Sequence, residues 1–176
     1  MKGNARLSLA VGAALLCGAV AFGWPLILRP ASGLRPELAP MVFAVVLPVV
    51  LAIVLSEVAG GRLDARSLAM LGVLAAVGTI LRPLSAGTAG FELVFFLLIL
   101  AGRVFGAGFG FALGAVTLFT SALITSGVGP WLPYQMLAAG FVGLFAGLLP
   151  RAEGRAEVWL LAGYGMVSAF AYGWAM

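Results

Sequence analysis

Long apolar runs separated by short polar turns make up most of this chain. Seven such runs are bounded by charges, prolines or glycines, and they lie at residues 7–28, 41–59, 68–81, 91–106, 108–125, 131–149 and 158–176. Because the runs are continuous and do not alternate with a period of two, they predict helices and not barrel strands. The runs at 68–81 and 91–106 are shorter than the roughly 20 residues that a perpendicular span needs. We therefore expect flanking residues to extend them or neighbouring helices to bury them.

Composition assigns these helices to a membrane. Hydrophobic residues make up 63% of the chain and charged residues 9%, whereas soluble domains carry roughly 25% charged residues. A soluble chain with so few charges would lack the polar surface that must cover its core. The predicted fold class is therefore an all-α integral membrane protein with about seven transmembrane helices visible in the sequence.

The residues that catalysis and metal binding require are scarce. The chain has no histidine and one cysteine, which excludes His-based triads and thiolate or imidazole metal sites. No GxxxxGK[ST] loop occurs, so the chain has no P-loop with which to hydrolyse ATP. The apolar runs also lack paired acids and a nucleophile with its base. We predict that the protein is not an enzyme and has no catalytic residues, metal or cofactor.

The charged residues predict an orientation. The net charge is +4, but the basic residues sit singly between apolar runs, so we expect a lipid bilayer and no nucleic acid as a partner. With the N-terminus inside, the inner basic residues are Lys2, Arg6, Arg62, Arg66, Arg103, Arg151 and Arg155, and the outer ones are Arg29, Arg35 and Arg82. The positive-inside rule favours this orientation. It places the loops at 82–90 and 126–134 on the outer face.

The two ends of the chain allow more than one interpretation. Residues 1–23 fit a cleavable signal peptide, since Lys2 and Arg6 precede an apolar run, but the run continues to Leu28 and favours a span. At the other end, the odd number of runs and the missing basic flank predict a further helix after the last run. The face expected to be left open for that helix comprises Gly163, Tyr164, Ser168 and Tyr172.

A proline-rich corner, GPWLPYQM at 129–136, gathers most of the polar groups of the later runs. The rings of Trp131 and Tyr134 and the amide of Gln135 are typical of a pocket for a flat, neutral ligand. Trp and Tyr are also typical of an interfacial aromatic belt without a ligand, although a lipid-embedded amide needs a partner. The loop with Arg82 and the following Glu92 lies on the same predicted face. The candidate substrate-binding residues are Arg82, Glu92, Trp131, Tyr134, Gln135 and Tyr164.

Small residues recur at helical spacing in three places. Two series, spaced mostly by four residues, are Gly102, Gly106, Gly110 and Gly114, and then Ala139, Gly143 and Gly147. This spacing lets helix backbones approach closely, either within the bundle or against a partner. We expect the first series to tighten a helical hairpin and the second to pack within the molecule. A third set predicts a partner-binding face on the run at 68–81, formed by Ala69, Gly72, Ala75 and Ala76.

Two motifs resemble a known family. AGRVFGAGFGF at 101–111 and GPWLPYQM at 129–136 are similar to the hairpin and helix-opening motifs of substrate-specific S components of energy-coupling factor (ECF) vitamin transporters, particularly actinobacterial members. The resemblance implies a six-helix fold that holds its ligand near the outer face. Five of the seven runs match that core, with the last helix missing. Residues 1–60 would then be two added helices, and residues 61–176 an incomplete S-component bundle.

The resemblance also implies a function. The chain would capture a vitamin or related micronutrient at the outer face of a bacterial plasma membrane, with its N-terminus in the cytoplasm. Its partners would be a transmembrane coupling subunit, docked on the small residues of 68–81, and two ATPase subunits of an ABC importer. Residues 82–90 would form a lid-like first loop. The alternative from a different class is an accessory structural subunit of a membrane complex, without its own ligand.

Overall fold

The computed structural model describes residues 12, 13, 15, 16, 18–20, 44, 45, 47–52, 54, 55, 64–85 and 93–175. Its helices with described bounds are α1 (Ala65–Ser85), α2 (Leu93–Phe105), α3 (Ala107–Ile124), α4 (Leu132–Leu148) and α5 (Arg155–Ala175). The described residues within 12–20 and 44–55 are also helical, and the described part of the chain contains no strand. The prediction of an all-α fold is therefore confirmed.

The helix α1 extends beyond the predicted run at both ends. It spans 21 residues and includes Arg82 and Pro83 in its last turns, so the prediction that the first loop begins at residue 82 is wrong. A proline removes one backbone donor and clashes with the carbonyl four residues earlier. Only two residues of the helix follow Pro83, so little of the helix depends on the bond that is lost. The side chain of Arg82 also forms hydrogen bonds to Ser121 of α3 and Gln135 of α4.

The helix α2 is short, and neighbouring helices bury part of it, which is one of the two outcomes expected from the sequence. Its 13 residues span about 20 Å at 1.5 Å per residue, less than the ~30 Å of a bilayer core. Six of its residues are buried: Val94, Phe95, Leu98, Ile99, Ala101 and Gly102. One side of the helix packs into the bundle, in contact with every other described helix of known bounds, while Phe96 and Val104 are exposed.

The centre of the bundle is a set of glycine contacts among α2, α3 and α4. A Cβ added to Gly102 would collide with the carbonyl of Gly143, and one added to Gly143 would collide with Gly110. Gly114 lies in the same way against the backbone of Ala139. These helices therefore pack backbone to backbone, as small-xxx-small contacts allow. The expectation that both small-residue series serve internal packing agrees with this geometry.

Gly106 separates α2 from α3 and makes their hairpin possible. Its φ of 97° lies in the region that glycine adopts without a steric penalty. No heavy atom lies within 4 Å of an added Cβ there, so the backbone angle, and not crowding, requires glycine. The hairpin brings the two helices into the antiparallel arrangement that the glycine contacts need.

The helix α5 packs on α2 and α4 with the face that we expected to be open. Tyr164 and Tyr172 are half-buried and Ser168 is 6% exposed. The hydroxyl of Tyr164 donates to the carbonyl of Val142 at 2.7 Å, and the ring of Tyr172 packs edge-on against Phe95. The expectation of an unpartnered face at these three positions is therefore wrong, because they pack inside the bundle; Gly163 is exposed.

An ion pair connects α2 to the start of α5. The Nε and Nη2 atoms of Arg103 donate to the two carboxylate oxygens of Glu157 at 2.5 and 2.8 Å. Arg103 also donates to the carbonyl oxygens of Leu149 and Pro150 at 2.6 and 2.9 Å. Together with the N–H of Ala152, the Arg103 guanidinium holds the pKa of Glu157 below its ordinary value. We call this end of the bundle the Arg103 end and the opposite end the Arg82 end.

Candidate functional site

Three helix termini meet around a cavity at the Arg82 end. The C-terminal ends of α1 and α3 and the N-terminal end of α4 border an open cavity of about 360 Å³. It is lined by Arg82, Pro83, Ser121, Thr125, Gly127, Trp131 and Gln135. This volume lies at the lower end of the roughly 300–1,000 Å³ that is typical of small-molecule sites. The cavity therefore suits a small organic molecule.

The loop between α3 and α4 is fixed by its own backbone bonds. Ser126 has a left-handed φ of 54°, and the N–H of Gly127 donates to the carbonyl of Ala122 at 2.8 Å. This six-to-one bond closes the helix in the manner of a Schellman motif. Pro133 lies in the first turn of α4, where its missing donor costs nothing. Thr125 directly follows the last residue of α3, and Trp131 directly precedes the first residue of α4. The two helix ends therefore determine where these side chains lie.

Arg82 connects the three helices around the cavity. Its Nη2 donates to Oε1 of Gln135 at 3.0 Å, and its Nη1 lies 3.5 Å from Oγ of Ser121. Both acceptors are neutral, and both belong to other helices. The guanidinium is part-buried in these contacts, so it lies in the cavity wall and not on the outer surface of α1.

Trp131 forms the rim of the cavity. Its side chain is 55% exposed, and its ring lies so close to the Cα of Gly129 that a Cβ there would collide with it. The absence of a side chain at Gly129 therefore lets the indole fold back over the loop. An exposed ring in this position can stack on a flat ligand or lie at the lipid headgroup level.

A row of hydroxyl groups along α3 and its C-terminal end was not predicted from the sequence. Thr117, Ser121 and Thr125 are spaced by four residues, so they lie on one face of the helix. The spacing of these hydroxyls in an otherwise apolar run is the signal that could have predicted Ser121 and Thr125 in the cavity wall. Thr117 is fully buried, and its Oγ1 has no hydrogen-bond partner among the described residues.

The structure brings together three of the six predicted substrate-binding residues. Arg82, Trp131 and Gln135 line the same cavity. Tyr134 packs against the hydrophobic core and is not among the lining residues. Tyr164 bonds to Val142, which lies seven residues after Gln135 and thus about 10 Å further along α4. Glu92 lies outside the described residues.

The predicted partner-binding residues of α1 separate onto two faces. Ala69, Gly72 and Ala76 are exposed, and no heavy atom lies within 4 Å of a Cβ added to Gly72. Ala75 is 4% exposed and belongs to the hydrophobic core. The face that is open to a partner therefore consists of Ala69, Gly72 and Ala76, whereas Ala75 serves internal packing.

The outer surface of the described helices is suited to lipid. The segments Ala65–Leu84 and Ala107–Ile124 are long and apolar enough to cross a membrane, and Leu93–Phe105 and Leu132–Leu148 are shorter apolar helices. Large apolar side chains point outward on α5, with Trp174 92% and Phe170 77% exposed. In the part of the chain that the structure describes, no group of acidic, His or Cys residues could hold a metal ion.

Comparison with known families identifies the class of protein. Residues 66–176 match the family described as the substrate-specific component of the ECF transporter. The match covers more than half of the chain, so the protein belongs to this family of membrane-embedded transporter components and is not an enzyme. Members of the family work with a coupling subunit and ATPases. Neither a curated protein nor a solved structure gives a match.

Proposed function

We propose that this chain captures a vitamin or a related micronutrient in the cavity at the Arg82 end and delivers it to an ECF-type importer. The observation that carries the proposal is the cavity itself. It joins a guanidinium, an amide, two hydroxyls and an indole from three helices at one end of a bundle. Polar groups that converge on one pocket can fix the orientation of a small molecule, and the ring of Trp131 offers it an apolar surface.

The proposed orientation follows from the basic residues. The positive-inside rule puts the Arg103 end in the cytoplasm and the Arg82 end at the outer face of a bacterial plasma membrane. In this orientation the cavity meets substrate outside the cell, and the N-terminus lies in the cytoplasm. Residues 1–60 would be two added helices, and residues 61–176 the substrate-binding bundle. Labelling of single cysteines from each side of the membrane tests this orientation.

The proposed partner surface is the open face of α1. Ala69, Gly72 and Ala76 leave a strip without bulky side chains, where the backbone of a second helix can approach closely. We propose that the coupling subunit docks there and that two ATPase subunits supply the energy. The cavity and the docking face then lie at different positions on the same helix.

Native mass spectrometry tests the binding function. The full chain is purified in lipid nanodiscs, and the small molecules that remain bound are released and identified. A single small molecule at close to one copy per protein supports the proposal. A protein without any small molecule, which also gains none after incubation with a total metabolite extract, contradicts it.

A second candidate function is an accessory structural subunit without its own ligand. The exposure of the Trp131 ring favours it, because a half-exposed indole at a helix end is also typical of an interfacial belt. The two functions differ in the cavity: a belt needs Trp131 but has no use for Arg82 bonded to Gln135. A ligand-free protein in native mass spectrometry would favour this second function.

A further inference from the structure

The charge of Arg82 is not balanced by any described residue near it. The described acidic residues are Asp64, Glu153 and Glu157. Asp64 lies 18 positions before Arg82, about 27 Å away along α1. Glu157 pairs with Arg103 at the opposite end of the bundle. Glu153 lies at that same end, in the loop between α4 and α5. The described wall of the cavity is therefore positively charged.

Within the described residues, the hydrogen bonds of Arg82 leave some of its donors for a ligand. A guanidinium carries five N–H donors and cannot be deprotonated in a protein. Its hydrogen bonds to described residues use two of them, on the neutral oxygens of Ser121 and Gln135. A part-buried cation without a counter-ion is unfavourable, whereas a carboxylate or phosphate oxygen would make stronger, charge-assisted bonds to it.

Helix ends give a different account of the same charge. Arg82 lies in the last turn of α1, where the partial negative charge of the helix end favours a cation. A cation that serves only the end of α1 could also donate to the last carbonyl groups of that helix. The described bonds instead go to side chains of α3 and α4 that border the cavity. The guanidinium is thus directed at the cavity.

We infer that the cavity binds an anionic molecule, whose carboxylate or phosphate group is held by Arg82 with help from the hydroxyl of Ser121. The inference rests on the proposed function and names the chemical class of its substrate. It departs from the neutral ligand expected from the sequence, which was argued from the rings and the amide of 131–135. The rest of the molecule then lies toward Pro83 and Trp131, the apolar part of the lining.

The test uses a total small-molecule extract, separated on an anion-exchange resin into a retained, anionic fraction and an unretained, neutral and cationic fraction. Each fraction is titrated against the full chain in nanodiscs, and thermal unfolding is followed. We expect the retained fraction alone to raise the Tm of the wild-type protein. Arg82→Gln should require a roughly ten- to hundredfold higher concentration of that fraction, the equivalent of one lost charge-assisted hydrogen bond.

Gln135→Glu is the sharpest variant, because it places a carboxylate where Arg82 already has a hydrogen-bond acceptor. It should fold at least as stably as the wild type, since the new carboxylate pairs with the guanidinium, and it should bind the retained fraction at least tenfold more weakly. Val128 is exposed in the loop between α3 and α4 and does not line the cavity. Val128→Ala should therefore bind like the wild type.

The possible results separate this inference from the proposed function. If the unretained fraction stabilises the wild-type protein, the binding function stands and the anionic substrate is wrong. Equal stabilisation of Gln135→Glu and the wild type by the retained fraction also overturns the inference. If neither fraction raises the Tm of the wild type, both the inference and the proposed function are wrong.

Discussion

Arg82 and Gln135 lie 53 positions apart in the sequence, and the Nη2 atom of the first donates to Oε1 of the second at 3.0 Å. This bond joins the last turns of α1 to the first turn of α4 in the wall of the cavity. Arg82 borders the cavity, and Ala69, Gly72 and Ala76 form the open face of α1. All four residues lie in the same continuous helix. The site and the proposed docking surface are therefore carried by one rigid element.

The open face of α1 yields a first prediction. Gly72→Leu or Ala76→Leu should abolish uptake by the assembled transporter while substrate binding is retained, because a large side chain prevents the close approach of a partner helix. A Cβ added to Gly72 meets no atom of the described residues within 4 Å, so we expect the variant to fold. Uptake of the identified substrate into cells and binding to the purified chain would both be measured.

Ala75→Leu is the matched comparison for these variants. Ala75 is 4% exposed, so a leucine there overpacks the core and should destabilise the protein by roughly 1–3 kcal/mol. Folding should be damaged by the change at Ala75 and not by the changes at Gly72 and Ala76. Loss of binding or folding in Gly72→Leu would mean that this residue serves internal packing, and would contradict a docking role for the open face of α1.

The glycine contacts yield a second prediction. Gly143→Ala should destabilise the bundle by about 1–3 kcal/mol, because the added methyl group collides with the backbone of Gly110. Gly163→Ala is the control, since an added Cβ there meets nothing within 4 Å, and alanine favours the helix by up to about 1 kcal/mol. Reversible unfolding in mixed micelles would measure both. Equal stability of the two variants would contradict the backbone-to-backbone packing of α3 and α4.

The Arg103–Glu157 pair predicts a pH dependence. Because the pKa of Glu157 is lowered from its ordinary value of 4.5, the pair stabilises the folded protein above that pH, and the effect is lost as the pH falls below it. Glu157→Gln should therefore lower the Tm at pH 7, and the difference from the wild type should shrink at acidic pH. Thermal unfolding across this range would measure it, with Glu153→Gln, exposed in the same loop, as the control. A difference that is constant with pH would contradict the role of the carboxylate.

The sequence predicted the helices better than their ends. Continuous apolar runs indicate helices whatever their surroundings, so the class of fold followed from hydropathy alone. The end of α1 did not, because the drop in hydropathy at Arg82 and Pro83 resembles a loop. The side chain of Arg82 bonds to Ser121 and Gln135, which are remote in the sequence. Local pattern cannot reveal such partners.

The candidate site was predicted in part for a similar reason. Trp131 immediately precedes α4 and Gln135 lies in its first turn. A short sequence motif is enough to predict that two such residues lie close together. Tyr134 lies between them in sequence but packs against the core, because neighbouring helix positions point in different directions. Tyr164 was predicted from its chemistry alone, and its hydroxyl bonds to a backbone carbonyl of α4. The direction of a side chain depends on which face of its helix the bundle covers.

The most direct test of the central claim is the affinity of the identified substrate for the full chain with the cavity wall altered one residue at a time. Gln135→Ala removes an amide that lines the cavity and should weaken binding by about 1–3 kcal/mol, because a substrate group that bonds to this amide is left unpaired. Trp131→Ala should also weaken binding, because it removes the ring at the rim, whereas Val128→Ala should not. Isothermal titration in nanodiscs would give all three values. Unchanged affinity in both Gln135→Ala and Trp131→Ala would contradict a substrate site at the Arg82 end and leave the aromatic corner as a membrane belt.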